Sequence, residues 1–221
     1  MSAVGARILS VLLAAVAAGH ADLVLVQKVE GGGQAGDQII KIKGEKARCD
    51  LTPQVSMITD GATGETTTLM HAGRTFLKIS AEQTKAMLEQ LQKLRPQPEP
   101  AKPQPTGRKE KIGEYDCEIY AANLGLVTVT YWIAKDYPNY QAVLAQLDKF
   151  QSGSISAMGK GAMPPIKDFP GMIMKTETDL GGKKTVSTLV SAKEENVDPA
   201  IFNIPAGYKE VSSPELKFQP K

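Results

Sequence analysis

The chain is short of the side chains on which most enzyme chemistry runs. It has two histidines, His20 and His71, and His20 falls in a segment read below as a leader. A serine or cysteine nucleophile would therefore have His71 as its one candidate base. His71 sits in or beside a hairpin turn, where a surface turn histidine is the plain reading. The two cysteines, Cys49 and Cys117, form no C-x-x-C redox pair. No group of His, Cys or carboxylate residues has the close spacing of a zinc site. Asp116 and Glu118 share a strand face, as paired hydrolase carboxylates do, but alternation builds a solvent face in the same way. The glycine clusters Gly31 to Gly33 and Gly159 to Gly161 lack the strand–loop–helix context of phosphate-binding loops. The expectation is a protein that is not an enzyme and has neither metal nor cofactor.

An excess of one charge is also missing. Lysine and arginine number 26 against 24 aspartates and glutamates, a net charge of +2. That balance gives no support to a nucleic-acid partner and argues against strong attraction to anionic lipid. The local group Lys41, Lys43, Lys46 and Arg48 reads as solvated strand-edge lysines, with a basic face as the alternative. A long apolar run is absent too. The longest, Ile8 to Ala18, is about half of what a transmembrane helix needs. With Arg7 before it and Gly19-His20-Ala21 after it, this run is a secretory signal, residues 1–21, with cleavage predicted after Ala21. No cysteine follows the cleavage site to take a lipid anchor. The mature chain is therefore expected to be soluble, periplasmic or secreted, without a transmembrane segment. In that compartment a Cys49–Cys117 disulfide is the first reading, contributing up to about 4 kcal/mol in the chain-entropy model. Two buried thiols are the alternative.

What is present is strand pattern. Leu23 to Val29, Gln38 to Lys43, Lys46 to Leu51, Val55 to Asp60, Glu65 to Met70 and Thr75 to Ile79 are separated by short turns. Connections that short make an antiparallel meander. Ser80-Ala81-Glu82-Gln83 has capping-box spacing, and Met87, Leu88, Leu91 and Leu94 recur at helical spacing behind it. Residues 95–107 hold five prolines in 13 positions and predict an extended loop. The strand pattern resumes with Lys109 to Ile112, Tyr115 to Ala121 and Leu126 to Ala134. In the last of these, Val127, Val129, Tyr131 and Ile133 form an apolar face and Trp132 points the other way. A second helix follows from Pro138 to Phe150, then a loop rich in glycine and methionine from Met158 to Pro165. A hairpin runs from Met172 to Asp179 and back through Lys183 to Glu194. Met158, Met163, Met172 and Met174 admit Cu(I) chemistry, but flexible thioethers filling apolar space is the better reading. One domain over 22–211 is expected, with a polar tail at 212–221.

Several segments, taken in order, carry a family resemblance: Lys46-Ala47-Arg48-Cys49-Asp50, Ile58-Thr59-Asp60, Ile112-Gly113-Glu114-Tyr115-Asp116-Cys117-Glu118-Ile119-Tyr120, Tyr131-Trp132-Ile133 and Phe202-Asn203-Ile204-Pro205-Ala206-Gly207-Tyr208. The arrangement resembles the bacterial family of domain of unknown function 4412. More distantly it is similar to the periplasmic lipoprotein carriers and related sigma-factor regulators. That resemblance implies an α+β fold: a strongly curved antiparallel β-sheet, or half-barrel, with two packed helices and an apolar interior. It implies no binding residues. Phe76, Trp132, Met172 and Met174 are the candidates here, because they are bulky, apolar and on strands expected to face the concave side. The functional expectation is sequestration of a lipid, acyl chain or other apolar ligand. The alternative is a module in which the sheet edge or the proline loop engages an envelope protein.

Overall fold

The computed structural model describes residues 22–32, 35–94, 102–123, 127–151, 166 and 169–211. The expected signal at 1–21, most of the proline-rich loop at 95–101, the Met158–Pro165 loop with Met158 and Met163, and the expected tail at 212–221 lie outside the described residues. The first half is the expected meander: β1 (Leu23–Gly31), β2 (Gly36–Lys43), β3 (Lys46–Thr52), β4 (Val55–Asp60), β5 (Thr66–Met70) and β6 (Thr75–Ile79). Helix α1 (Ala81–Leu94) follows. Its first turn is closed by the capping box: the Gln83 N–H donates to Ser80 Oγ at 3.2 Å, and the Ser80 N–H donates to Gln83 Oε1 at 2.9 Å.

The second half contributes β7 (Gln104–Ile112), β8 (Tyr115–Asn123), β9 (Val127–Ala134), α2 (Tyr140–Gln151), β10 (Met172–Leu180), β11 (Lys183–Glu194), a 3-10 turn at Pro199–Phe202, and the two-residue β12 (Lys209–Glu210). Strand β7 starts earlier than the prolines suggested. Pro105 lies within it, opposite Tyr120. A residue without an N–H is tolerated there because β7 is an edge strand with one unpaired side.

The two meanders form one open sheet of twelve strands in the order β12-β6-β5-β4-β3-β2-β1-β11-β10-β9-β8-β7. Every pairing is antiparallel except β12 with β6, which is parallel. An open twisted sheet this wide has to curl. Register shifts at Val26/Gln27, Asp50/Thr52, Pro105/Lys109 and Ile173/Lys175 supply the bends. The result is an open, curved, mostly antiparallel sheet with two helices.

Alternation along β1 sends Leu23 and Leu25 to one face and Val24 to the other. Leu23 and Leu25 join the larger core with Ile42, Ala47, Val129, Tyr131, Leu189 and the α2 residues Val143 and Leu144. Val24 packs against a smaller core of Ile58, Leu69, Val197 and Phe202, in which the C-terminal segment lies over the first meander. Among the described residues, no helix is long and apolar enough to cross a membrane.

Two expectations are corrected. Cys49 and Cys117 are free thiols. They sit on β3 and β8, with five strands between them in the sheet, so the bridge is not formed. Lys41, Lys43, Lys46 and Arg48 are on β2 and β3, which are interior strands and not edges. Their charge is handled locally instead, as in the ion pairs of Lys43 with Asp22 and of Arg48 with Asp50.

The join between the meanders sets a sharp steric demand at the end of β1. Gly31 has φ of 88°, and a Cβ there would sit 2.2 Å from the Lys184 carbonyl oxygen. Gly44 has φ of 57° with nothing within 4 Å. Gly31→Ala is therefore expected to cost roughly 3 kcal/mol, from left-handed backbone plus a backbone clash, and Gly44→Ala only about 1 kcal/mol. Urea unfolding of the two variants checks this. Equal losses would mean that the β1–β11 contact yields easily.

Candidate functional site

Two polar features stand out, one in each core, and they are opposites. The first is Tyr131. Strand β9 alternates so that Val129, Tyr131 and Ile133 face one way, and all three are at most 1% exposed. Register carries that face from Leu25 and Gln27 through Leu189 and Ser187 to Thr176, the partner of Tyr131. The Tyr131 ring packs on Phe169 with centroids 4.8 Å apart. Met172, Met174 and the α2 residues Val143 and Leu144 belong to the same cluster. The Tyr131 hydroxyl makes no hydrogen bond among the described residues. Burial pushes its pKa up to about 12, so it stays a protonated phenol able both to donate and to accept.

The second feature is a fully connected network under the C-terminal segment. Arg48 Nε donates to Asp50 Oδ1 at 2.7 Å, Arg48 Nη2 to Ser56 Oγ at 3.1 Å, and Arg48 Nη1 to the Ile201 carbonyl at 3.0 Å. Ser56 Oγ donates to Asp50 Oδ1 at 2.6 Å and lies 2.7 Å from His71 Nε2. With the serine proton committed to Asp50, His71 is the donor in that second contact. The other ring nitrogen, Nδ1, lies 2.6 Å from the Tyr208 hydroxyl. His71 is therefore half-buried and bonded on both nitrogens, which corrects its reading as a surface turn histidine. Burial alone would raise the Asp50 carboxyl, but hydrogen bonds from Ser56 and Arg48 outweigh it and hold the group below its ordinary value.

Three of the four sequence candidates share one cluster and the fourth lies in the other. Met172, Met174 and Trp132 are buried in the larger cluster, and Phe76 packs against the smaller one. Trp132 follows Tyr131 and so points to the reverse side of β9. Its indole N–H donates to Glu110 Oε2 at 2.7 Å, and Lys175 Nζ stands 4.1 Å from the ring centroid. The sequence did hold a signal for Tyr131, a lone hydroxyl on an otherwise apolar strand face. It held none for the Ser56–His71–Tyr208 chain, whose members are brought together only by β4–β5 pairing and the returning C-terminal segment. Both thiols are poor nucleophiles: burial pushes Cys49 up to about 11 and raises Cys117 as well. Among the described residues, no group of three or more His, Cys, Asp or Glu is placed to hold a metal ion.

The network makes two measurable statements. Ser56→Ala should cost about 2 kcal/mol by leaving buried partners of Arg48, Asp50 and His71 unmet. It should also speed hydrogen exchange at the Lys209 and Val211 amides, which bond to the Arg74 and Phe76 carbonyls. Because the Asp50 value is lowered on folding, its contribution is present above the unfolded value near 4 and is lost as pH falls through the folded value. Urea midpoints should therefore separate wild type from Asp50→Asn at pH 7 and converge towards pH 2. A gap that stays constant would remove Asp50 from the account.

Among solved structures, the chain is remotely similar to two proteins of known structure, PNGF-II and LppX. PNGF-II, solved in C2 and in P21 crystals, gives a TM-score of 0.43 at 12% identity in both, covering 87% of this chain. This chain spans about a third of the PNGF-II chain, 31% in one form and 32% in the other. Mycobacterium tuberculosis lipoprotein LppX gives a TM-score of 0.41 at 11% identity, covering 80% of this chain and 88% of that one. No curated protein matches the sequence. The family described as Domain of unknown function (DUF4412) matches residues 28–208, most of the chain, and the protein belongs to that family.

Proposed function

We propose that this is an exported, non-enzymatic binding protein that sequesters an apolar ligand, such as a lipid or acyl chain, inside a half-barrel formed by the curved sheet and α2. The observation that carries the reading is the Tyr131 hydroxyl, 1% exposed and without a partner in a core of aliphatic, aromatic and thioether groups. A buried hydroxyl left unmet costs about 1–3 kcal/mol. A ligand whose carbonyl, carboxyl or hydroxyl meets Tyr131 recovers that cost, while its hydrocarbon gains about 25 cal/mol for each Å² removed from water. Met172 and Met174 are flexible enough to repack around it. The leader at 1–21 supports export.

The Ser56–His71 pair supports the non-enzymatic part. Ser56 is 1% exposed, its proton is given to Asp50, and its lone pairs receive Arg48 and His71. An activated nucleophile needs the reverse: an accessible oxygen whose proton goes to the histidine. The partner-protein alternative rests on the free edge at β7, where eight of nine residues are exposed. That strand carries Pro105, Arg108, Lys109 and Lys111, the features that discourage edge-to-edge pairing, so the ligand reading is preferred.

Native mass spectrometry of the mature chain from the periplasm, with organic extraction, tests the proposal. A stoichiometric apolar molecule that bears oxygen, and whose retention falls about tenfold in Tyr131→Phe, is expected. In the emptied protein the same change should leave stability unaltered or raise it by about 1 kcal/mol, because an unmet group is removed. Chain mass alone, with no uptake of added lipid, would replace the carrier reading with the partner reading.

A further inference from the structure

The opposite face of the sheet holds a separate opening of about 210 Å³, between β3–β6 and the C-terminal segment. Its floor is a cross-strand row in which Ile58 on β4 opposes Thr67 on β5, and Thr67 opposes Lys78 on β6. Lys46 on β3 stands opposite Asp60 and closes the other side. Phe202 and Ile204 form the roof. Ile58 and Phe202 are buried, and Ile204 is half-buried, so the opening has apolar walls around a polar centre.

The polar centre is Thr67. It is 5% exposed and lines the opening, and its hydroxyl makes no hydrogen bond among the described residues. The charges around it are unequally committed. Glu65 pairs with Lys78 at 3.0 Å, and Asp60 Oδ1 accepts from the Ala62 and Thr63 N–H groups at 3.0 and 3.1 Å. Lys46 forms no ion pair among the described residues. Lys46 therefore brings a cation without an ion pair among the described residues to the same opening that Thr67 lines, together with the apolar side chains of Ile58, Phe202 and Ile204.

We propose that this cleft binds a small carboxylate with a short apolar body. The carboxylate takes the Lys46 ammonium and the Thr67 hydroxyl, and the hydrocarbon lies between Ile58 and the Phe202–Ile204 roof. At about 30 Å³ for each water-sized group, the volume accepts on the order of seven such groups, close to the eight non-hydrogen atoms of a six-carbon acid. The site is independent of Tyr131, since it lies in the other core.

Titration of the full mature protein with hexanoate, hexanol and hexylammonium, followed by amide NMR, tests this. Saturable shifts at Thr67 and Phe202 are expected for hexanoate, with the alcohol and the amine binding much more weakly. Lys46→Met should weaken hexanoate about tenfold and Thr67→Val about threefold, whereas Tyr131→Phe should leave it unchanged. Lys46 is exposed, so its variant folds without repacking the core. Equal binding of the alcohol or the amine, absence of saturation, or indifference to Lys46→Met would each overturn the proposal. Loss on Tyr131→Phe would overturn it too, by moving the ligand to the other core.

Discussion

Everything in this fold hangs on the pairing of β1 with β11. Each meander alone would end in a free edge at that position. The antiparallel ladder from Leu23↔Glu194 to Gly31↔Thr185 fuses them into one sheet. The same strand feeds both hydrophobic cores, Leu23 and Leu25 into one and Val24 into the other. At its start, Asp22 Oδ2 accepts from the Val197 N–H at 2.8 Å and pairs with Lys43. That contact directs the chain after β11 back across the first meander, which is how Phe202 and Tyr208 arrive over β3 to β6.

The two cores treat buried polarity in contrary ways. Under the C-terminal segment, Arg48, Asp50, Ser56, His71 and Tyr208 satisfy one another, and such a closed network fixes a single arrangement. In the larger core, the Tyr131 hydroxyl makes no hydrogen bond among the described residues.

Strands, turns and the first helix cap were legible because they depend on neighbours in sequence: alternation, glycine turns and the Ser80–Gln83 capping box. What failed depended on which strands are neighbours in space. A Cys49–Cys117 bridge requires β3 to meet β8, and edge lysines on β2 and β3 require one of those strands to be outermost; nothing local shows that β1 pairs with β11 and excludes both. Phe76 was grouped with Met172 and Met174 although it packs in the other core. The face that a side chain takes depends on register carried across the whole sheet, bulges included. The His71 network was invisible for the same reason, since Tyr208 lies 137 residues away in sequence.

The β1–β11 ladder also sets the order in which the molecule can be assembled. A chain that appears amino-terminus first exposes β1 early, but its second partner ends at Glu194, near the close of the described chain. Until then the first meander has an open flank with Leu23 and Leu25 half covered, a template for pairing with the wrong strand. Contacts so distant along the chain make for slow folding. The last long strand to emerge is thus the one that closes the larger core through Leu189, and the interval before it arrives is when this protein is most exposed to aggregation.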